Sequence, residues 1–168
     1  MNYKNLLKLT VLGAAVSFAC YVQADITWSE KHYNPAPLED DVILPMPCGG
    51  AMAFRKVMIP VAGPLDDYAI ELGQKNEEWG YVEYTRPEFI AGSLTEKGNK
   101  SRYYLMAKYE TTELQYKAMQ GEACVKSSNK LRLPVVNNSW FSAVQAADKY
   151  NLWLRENAPQ SLPTEDGV

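Results

Sequence analysis

The sequence predicts an α+β domain of short strands and two helices. Two segments carry apolar residues at three- and four-residue spacing behind a capping residue. The runs before them are short, rich in Val, Ile, Tyr and Phe, and broken by Pro or Gly. At 168 residues, with 46% apolar and 22% charged, the chain suits one globular domain and is too short for two of ordinary size.

The first segment reads as an export signal. Lys4 and Lys8 flank an apolar run from Leu9 to Ala19, and Val22-Gln23-Ala24 presents small residues just before Asp25. The run is short for a bilayer span, so cleavage after Ala24 is expected and no transmembrane segment should remain after processing. A lipoprotein anchored through Cys20 is the alternative, but such sites favour Leu three positions earlier, where Ser17 stands. The expected location is periplasmic or secreted.

Export gives the cysteines their meaning. Removal of residues 1–24 leaves Cys48 and Cys124, an even pair in an oxidising compartment, and a disulfide is expected. Closing a loop of about 76 residues stabilises by roughly 4 kcal/mol in the chain-entropy model. Two free thiols on a metal are disfavoured by the lack of C-x-x-C spacing and of His partners.

From Asp25 to Pro47, four prolines and the run Glu39-Asp40-Asp41 predict an irregular arm with a solvated acidic turn. Residues 51–62 read as a strand-pair region, 63–67 as a turn, and Tyr68 to Gly73 as a strand. Trp79 to Leu94 suits short strands interrupted by Pro87, and Tyr103 to Ala107 a strand buried on both faces. Thr112-Glu113-Leu114-Gln115 is a capping box that starts a helix ending near Gly121. Asn138 or Ser139 caps a second helix, which Asn157-Ala158-Pro159 ends. Its predicted core stripe is Trp140, Ala143, Val144, Ala147, Tyr150 and Leu154, with Trp140 buried at the head.

Composition also excludes chemistry. The net charge of -3, with no Lys/Arg cluster, argues against nucleic-acid binding. The single histidine, His32, cannot build a catalytic zinc of two or three His, and reads as a plain loop residue.

Three segments together carry a resemblance. Tyr103 to Tyr116 looks like a family segment in which a "K-Y-E-V-T" strand end leads into "N-A-Q-Y". Leu133-Pro134-Val135-Val136-Asn137-Asn138-Ser139-Trp140-Phe141-Ser142-Ala143 resembles "P-V-x-x-V-S-W-x-x-A", and Ile90 to Leu94 is similar to a "G-S-F" element. In this order and spacing they resemble the sulfatase-modifying factor family, whose type member is the formylglycine-generating enzyme. The residues that carry the match, in structural roles, are Glu110, Thr112, Gln115, Tyr116, Pro134, Val135, Ser139, Trp140 and Ala143.

The resemblance implies an irregular, C-type-lectin-like fold. It covers roughly residues 86 to 168 and the opening half of the family domain, which implies an incomplete domain behind an extension at residues 25–85. Family enzymes oxidise a substrate cysteine to formylglycine with oxygen and a copper ion between two thiolates, and they also bind calcium. The thiolate pair and the calcium ligands belong to the half that this sequence does not match. Ala147 stands where relatives often have Cys, and Ser142 where they often have Asp. The expectation is therefore no catalytic residue and no cofactor in this chain, with a polypeptide substrate or envelope protein as partner. Two alternatives stay open: a protein- or glycan-binding module on the same scaffold, and an accessory subunit of an envelope assembly.

Overall fold

The computed structural model describes residues 25–63, 66–73, 85–92, 94–95 and 101–163. The expected export signal, its cleavage site and Cys20 lie outside the described residues, as do Tyr81, Val82 and Tyr84 of the expected strand region. The elements, in order, are β1 Val42–Met46, β2 Gly50–Ile59, β3 Tyr68–Leu72, β4 Arg86–Ile90, β5 Leu94–Thr95, β6 Arg102–Ala107, α1 Glu113–Gln120 and α2 Trp140–Asn157. The mixed α+β class agrees with the sequence reading. One antiparallel sheet has the order β1-β2-β6-β5, and β3 pairs with β4 in a second. The β2–β6 ladder, from Phe54 opposite Ala107 to Ile59 opposite Arg102, joins the 25–85 and 86–168 segments in one sheet.

Period-two alternation decides which side chains meet the helices. Leu44 and Met46 of β1 and Met52 of β2 enter one core with Ala118 and Met119 of α1. Ala146, Tyr150 and Leu154 of α2 and Ala158 just beyond it close that core. Burial of each large side chain stabilises by about 1.5–3 kcal/mol. The Tyr150 hydroxyl donates to the Pro45 carbonyl at 2.9 Å, which fastens α2 to the edge strand.

Both helices begin as their residues dictate. The Gln115 N–H donates to Thr112 Oγ1 at 3.2 Å, and the Thr112 N–H donates to Gln115 Oε1 at 3.0 Å. Gly121, at φ 76°, ends α1 in the left-handed conformation that glycine adopts without a Cβ clash. The Ser139 hydroxyl accepts from the Ser142 N–H at 3.1 Å and starts α2.

Several expectations are corrected. The arm from Asp25 to Pro47 contains β1, because Pro45 sits on the sheet edge where a missing N–H is tolerated. Residues 51–62 are mostly one strand, and Pro87 lies inside β4, which pairs with β3 alone among the described residues. β6 is not buried on both faces, since Met106 is 53% exposed. Asp41 is not solvated, as its side chain is 2% exposed in a polar network.

The largest correction concerns α2. Trp140 is 71% exposed and Phe141 77%, and Ala143 and Ala147 also face outward. The buried stripe is Ala146, Tyr150, Leu154 and Ala158, at four-residue spacing. Tyr150 and Leu154 belong to both stripes, but contact with β1 and α1 selects the one that carries Ala146. The first turn of α2 is therefore left uncovered among the described residues.

Candidate functional site

A cleft of about 240 Å³ lies where three separate segments meet. One wall is the 3-10 turn Glu30–His32, followed by Tyr33 and Pro35. The second is Tyr109 and Glu110 after β6, with Thr112 and Gln115 at the start of α1. The third is Arg132 and Pro134, in and just after the 3-10 turn Asn129–Arg132.

Backbone pairing holds the second and third walls together. Thr112 and Pro134 form an isolated antiparallel bridge. The Val135 N–H donates to the Thr111 carbonyl at 2.9 Å, and the Glu113 N–H to the Leu133 carbonyl at 2.9 Å. The Tyr116 hydroxyl lies 3.0 Å from Asn138 Oδ1 and donates to it. Four motif residues, Glu110, Thr112, Gln115 and Pro134, thus line the cleft. Tyr116 and Val135 brace it, whereas Ser139, Trp140 and Ala143 lie on α2 and its cap, outside the lining.

A charged network holds the first wall. Lys108 Nζ donates to Asp41 Oδ2 at 2.5 Å, to the Ala36 carbonyl at 2.6 Å and to Asn34 Oδ1 at 3.1 Å. Asn34 Nδ2 donates to Asp41 Oδ2 at 2.9 Å, and the Tyr109 hydroxyl donates to Asn34 Oδ1 at 3.2 Å. Arg55 pairs with both Asp40 and Asp41. Burial opposes charge on Asp41, but hydrogen bonds from Lys108, the Leu38 N–H, Asn34 and Arg55 outweigh it and hold the carboxyl below the usual carboxylate range. Burial likewise opposes charge on Lys108, and its bond and charge interaction with Asp41 raise it instead.

Several groups in the cleft have no internal use. His32 is 7% exposed, buried and not a plain loop residue, and its Nδ1 has no hydrogen-bond partner among the described residues. Such an unsatisfied buried group costs about 1–3 kcal/mol. The side chains of Lys31, Glu110 and Arg132 have no partner among the described residues either. Burial, with a smaller contribution from Glu30, raises the Tyr33 phenol, so it stays a neutral donor. Thr112 and Gln115, by contrast, are occupied by the cap, and Gln115 Nε2 also donates to the Ala51 carbonyl at 3.1 Å. Sequence reading missed His32, Lys31 and Arg132, because nothing in their spacing foretells that the folded chain brings them together.

A second, apolar groove of about 560 Å³ runs between the sheet and α2, past Phe54, Leu105, Met119 and Leu154. It contains few polar groups that would fix a ligand's orientation. Near the first turn of α2, the rings of Trp140 and Phe141 stack edge to face at 5.2 Å, and Leu133 and Val136 are also exposed.

Cys48 and Cys124 are joined, with Cα atoms 5.3 Å apart, as the sequence reading expects. The bond ties the turn between β1 and β2 to the loop after α1. The donor set does not fit the copper that the resemblance implies, because these two sulfurs are bonded to each other and are not thiolates. Calcium does not fit either, since Asp40 and Asp41 are held by Arg55 and Lys108. Among the described residues no group of three or more His, Cys, Asp or Glu stands together as a metal site. Nor is any described helix long and apolar enough to cross a membrane. Comparison with protein-family models, curated proteins and solved structures yields no match.

Proposed function

We propose that this chain is an exported protein of the sulfatase-modifying factor family whose own residues do not carry out cysteine oxidation, and that it acts by binding. The observation that carries the non-catalytic part is the Cys48–Cys124 bond, which uses both cysteines that follow the signal segment. The three motifs in register support the family part, and Thr112, Gln115 and Pro134 from two of them line one cleft. The same reading takes the fold as a C-type-lectin-like scaffold and the chain as periplasmic or secreted.

An experimental structure of residues 25–168 tests the family part. Overlaid on a formylglycine-generating enzyme through the motif residues alone, β6, α1 and α2 should coincide in path and direction. A different connection between β6 and α2 would overturn the assignment.

One observation favours a second reading, an accessory subunit that holds a protein partner. Trp140 and Phe141 expose apolar surface in the first turn of α2, and Leu133 and Val136 do so in the segment that leads into it. Pull-down with a Trp140→Ser, Phe141→Ser double variant decides it, because this reading requires loss of a partner that the native chain retains.

A further inference from the structure

We propose that the apolar groove between the sheet and α2 holds a single-chain amphiphile with an anionic head, a free fatty acid anion. The inference rests on the reading of the chain as a binding scaffold and adds the class of its ligand. At about 560 Å³ the groove falls within the ~300–1,000 Å³ usual for small-molecule sites. Strand register builds one wall. Leu44 lies opposite Met52, Lys56 opposite Leu105 and Tyr103 opposite Leu94, so Leu44, Met52, Phe54, Leu105 and Leu94 share one face of the sheet. Helix α2 builds the other wall in two rows at four-residue spacing. Tyr150 and Leu154, 5% and 2% exposed, belong to the buried row that closes the floor, and Ala147, Asn151 and Arg155 form the exposed lip. From Ala147 to Arg155 the lip extends about 12 Å along the helix axis.

The head group follows from the charge. Arg155 is the one charged side chain among the described residues that line the groove, and no carboxylate stands among them. Neither Arg155 nor Asn151 has a side-chain partner among the described residues. The two stand one turn apart on the same face of α2, where Cβ atoms lie about 5–6 Å from each other. A guanidinium offers a carboxylate two parallel N–H···O bonds, and the Asn151 amide adds a donor beside it. Beyond this pair the polar lining side chains are Thr111 and Tyr150, and the Tyr150 hydroxyl is spent on the Pro45 carbonyl. An apolar chain with an anion at one end therefore suits both parts of the groove. A peptide would bring backbone N–H and C=O groups that such a floor leaves unpaired.

Methionine methyls report on the site directly, because Met52 and Met119 line the groove while Met106 projects from the opposite face of the sheet. The test titrates the oxidised chain of residues 25–168, isotope-labelled at its Met methyls, with octanoate, decanoate and dodecanoate below their micelle concentrations. Saturable shifts should appear at Met52 and Met119 and not at Met106, with NOEs from the two methyls to the ligand chain. Affinity should rise about fourfold for each added methylene. Decanoate should bind about tenfold more tightly than decanol, through its charge-assisted bonds, and decyltrimethylammonium more weakly than either. Arg155→Gln should remove the preference for decanoate over decanol, and Ala147→Trp should block every ligand. No saturation at Met52 and Met119, an affinity indifferent to chain length, or an undiminished preference in Arg155→Gln would each overturn the proposal. So would a different occupant, seen as self-association of the chain or flotation with phosphatidylglycerol vesicles, either one abolished by Ala147→Trp. The NOEs and the chain-length series in the native protein decide the question should a variant fold poorly. Failure here leaves the scaffold reading standing, whereas cysteine oxidation by the chain would overturn that reading instead.

Discussion

The Lys108 ammonium lies 2.5 Å from the Asp41 carboxylate, and their side chains are 11% and 2% exposed. This pair joins the arm before β1 to the end of β6, 67 residues later. It is the hinge-pin of the first cleft wall, since Asn34 and Ala36 bond to the same ammonium.

The pair gives stability a defined pH dependence. Asp41 is held below its ordinary range, so its contribution is fully present above the unfolded carboxylate pKa of about 3.9 and is lost as pH falls through the lower folded value. Lys108 is raised, so its contribution holds below about 10.4 and is lost only as pH rises through the higher folded value. Asp41→Asn should lower the urea midpoint at pH 7 and flatten the acid limb. Parallel midpoint curves for the two proteins between neutral and acid pH would contradict this.

The disulfide should carry a large share of the stability. Cys48→Ser, Cys124→Ser is expected to cost roughly 4 kcal/mol for a loop of this length. Chemical denaturation of the variant measures the cost, and a non-reducing peptide map of the native chain should recover both cysteines in one linked peptide pair. Recovery of both as free thiols would refute the bond.

Gln115 should matter more than Thr112, although both belong to the same cap. Thr112→Ala loses one capping bond, about 1 kcal/mol. Gln115→Ala loses its half of the box and also leaves the buried Ala51 carbonyl without its 3.1 Å donor, a further cost of about 1–3 kcal/mol. Equal denaturation midpoints for the two variants would show that the Ala51 contact contributes nothing.

On α2 the ordering of substitutions reverses the sequence expectation. Leu154→Ala, at 2% exposure, should cost about 2–5 kcal/mol. Trp140→Ala should stay within about 0.5 kcal/mol of the native chain, as surface changes do. A large loss at Trp140 would mean that its ring is covered in solution.

That reversal shows where the sequence was legible. Thr112, Gln115, Gly121 and Ser139 act through neighbours within a few positions, so their caps and helix ends could be read directly. The Cys48–Cys124 pairing followed from parity and compartment. β1 was hidden because Pro45 and Pro47 suggest irregular chain, and only its place at the end of the β1-β2-β6-β5 order puts Pro45 on an edge. On α2, two apolar stripes overlap at Tyr150 and Leu154, and periodicity cannot say which one a sheet will cover. The cleft was least legible, because His32, Glu110 and Arg132 come from three segments of the chain.

The most direct test of the central claim is catalytic. The oxidised chain, supplied with copper, oxygen, a reductant too mild to open the disulfide, and a cysteine-bearing sulfatase peptide, should yield no aldehyde by mass spectrometry. The Cys48–Cys124 bond should remain intact through the incubation. Conversion of the peptide cysteine to formylglycine over many turnovers would contradict the account.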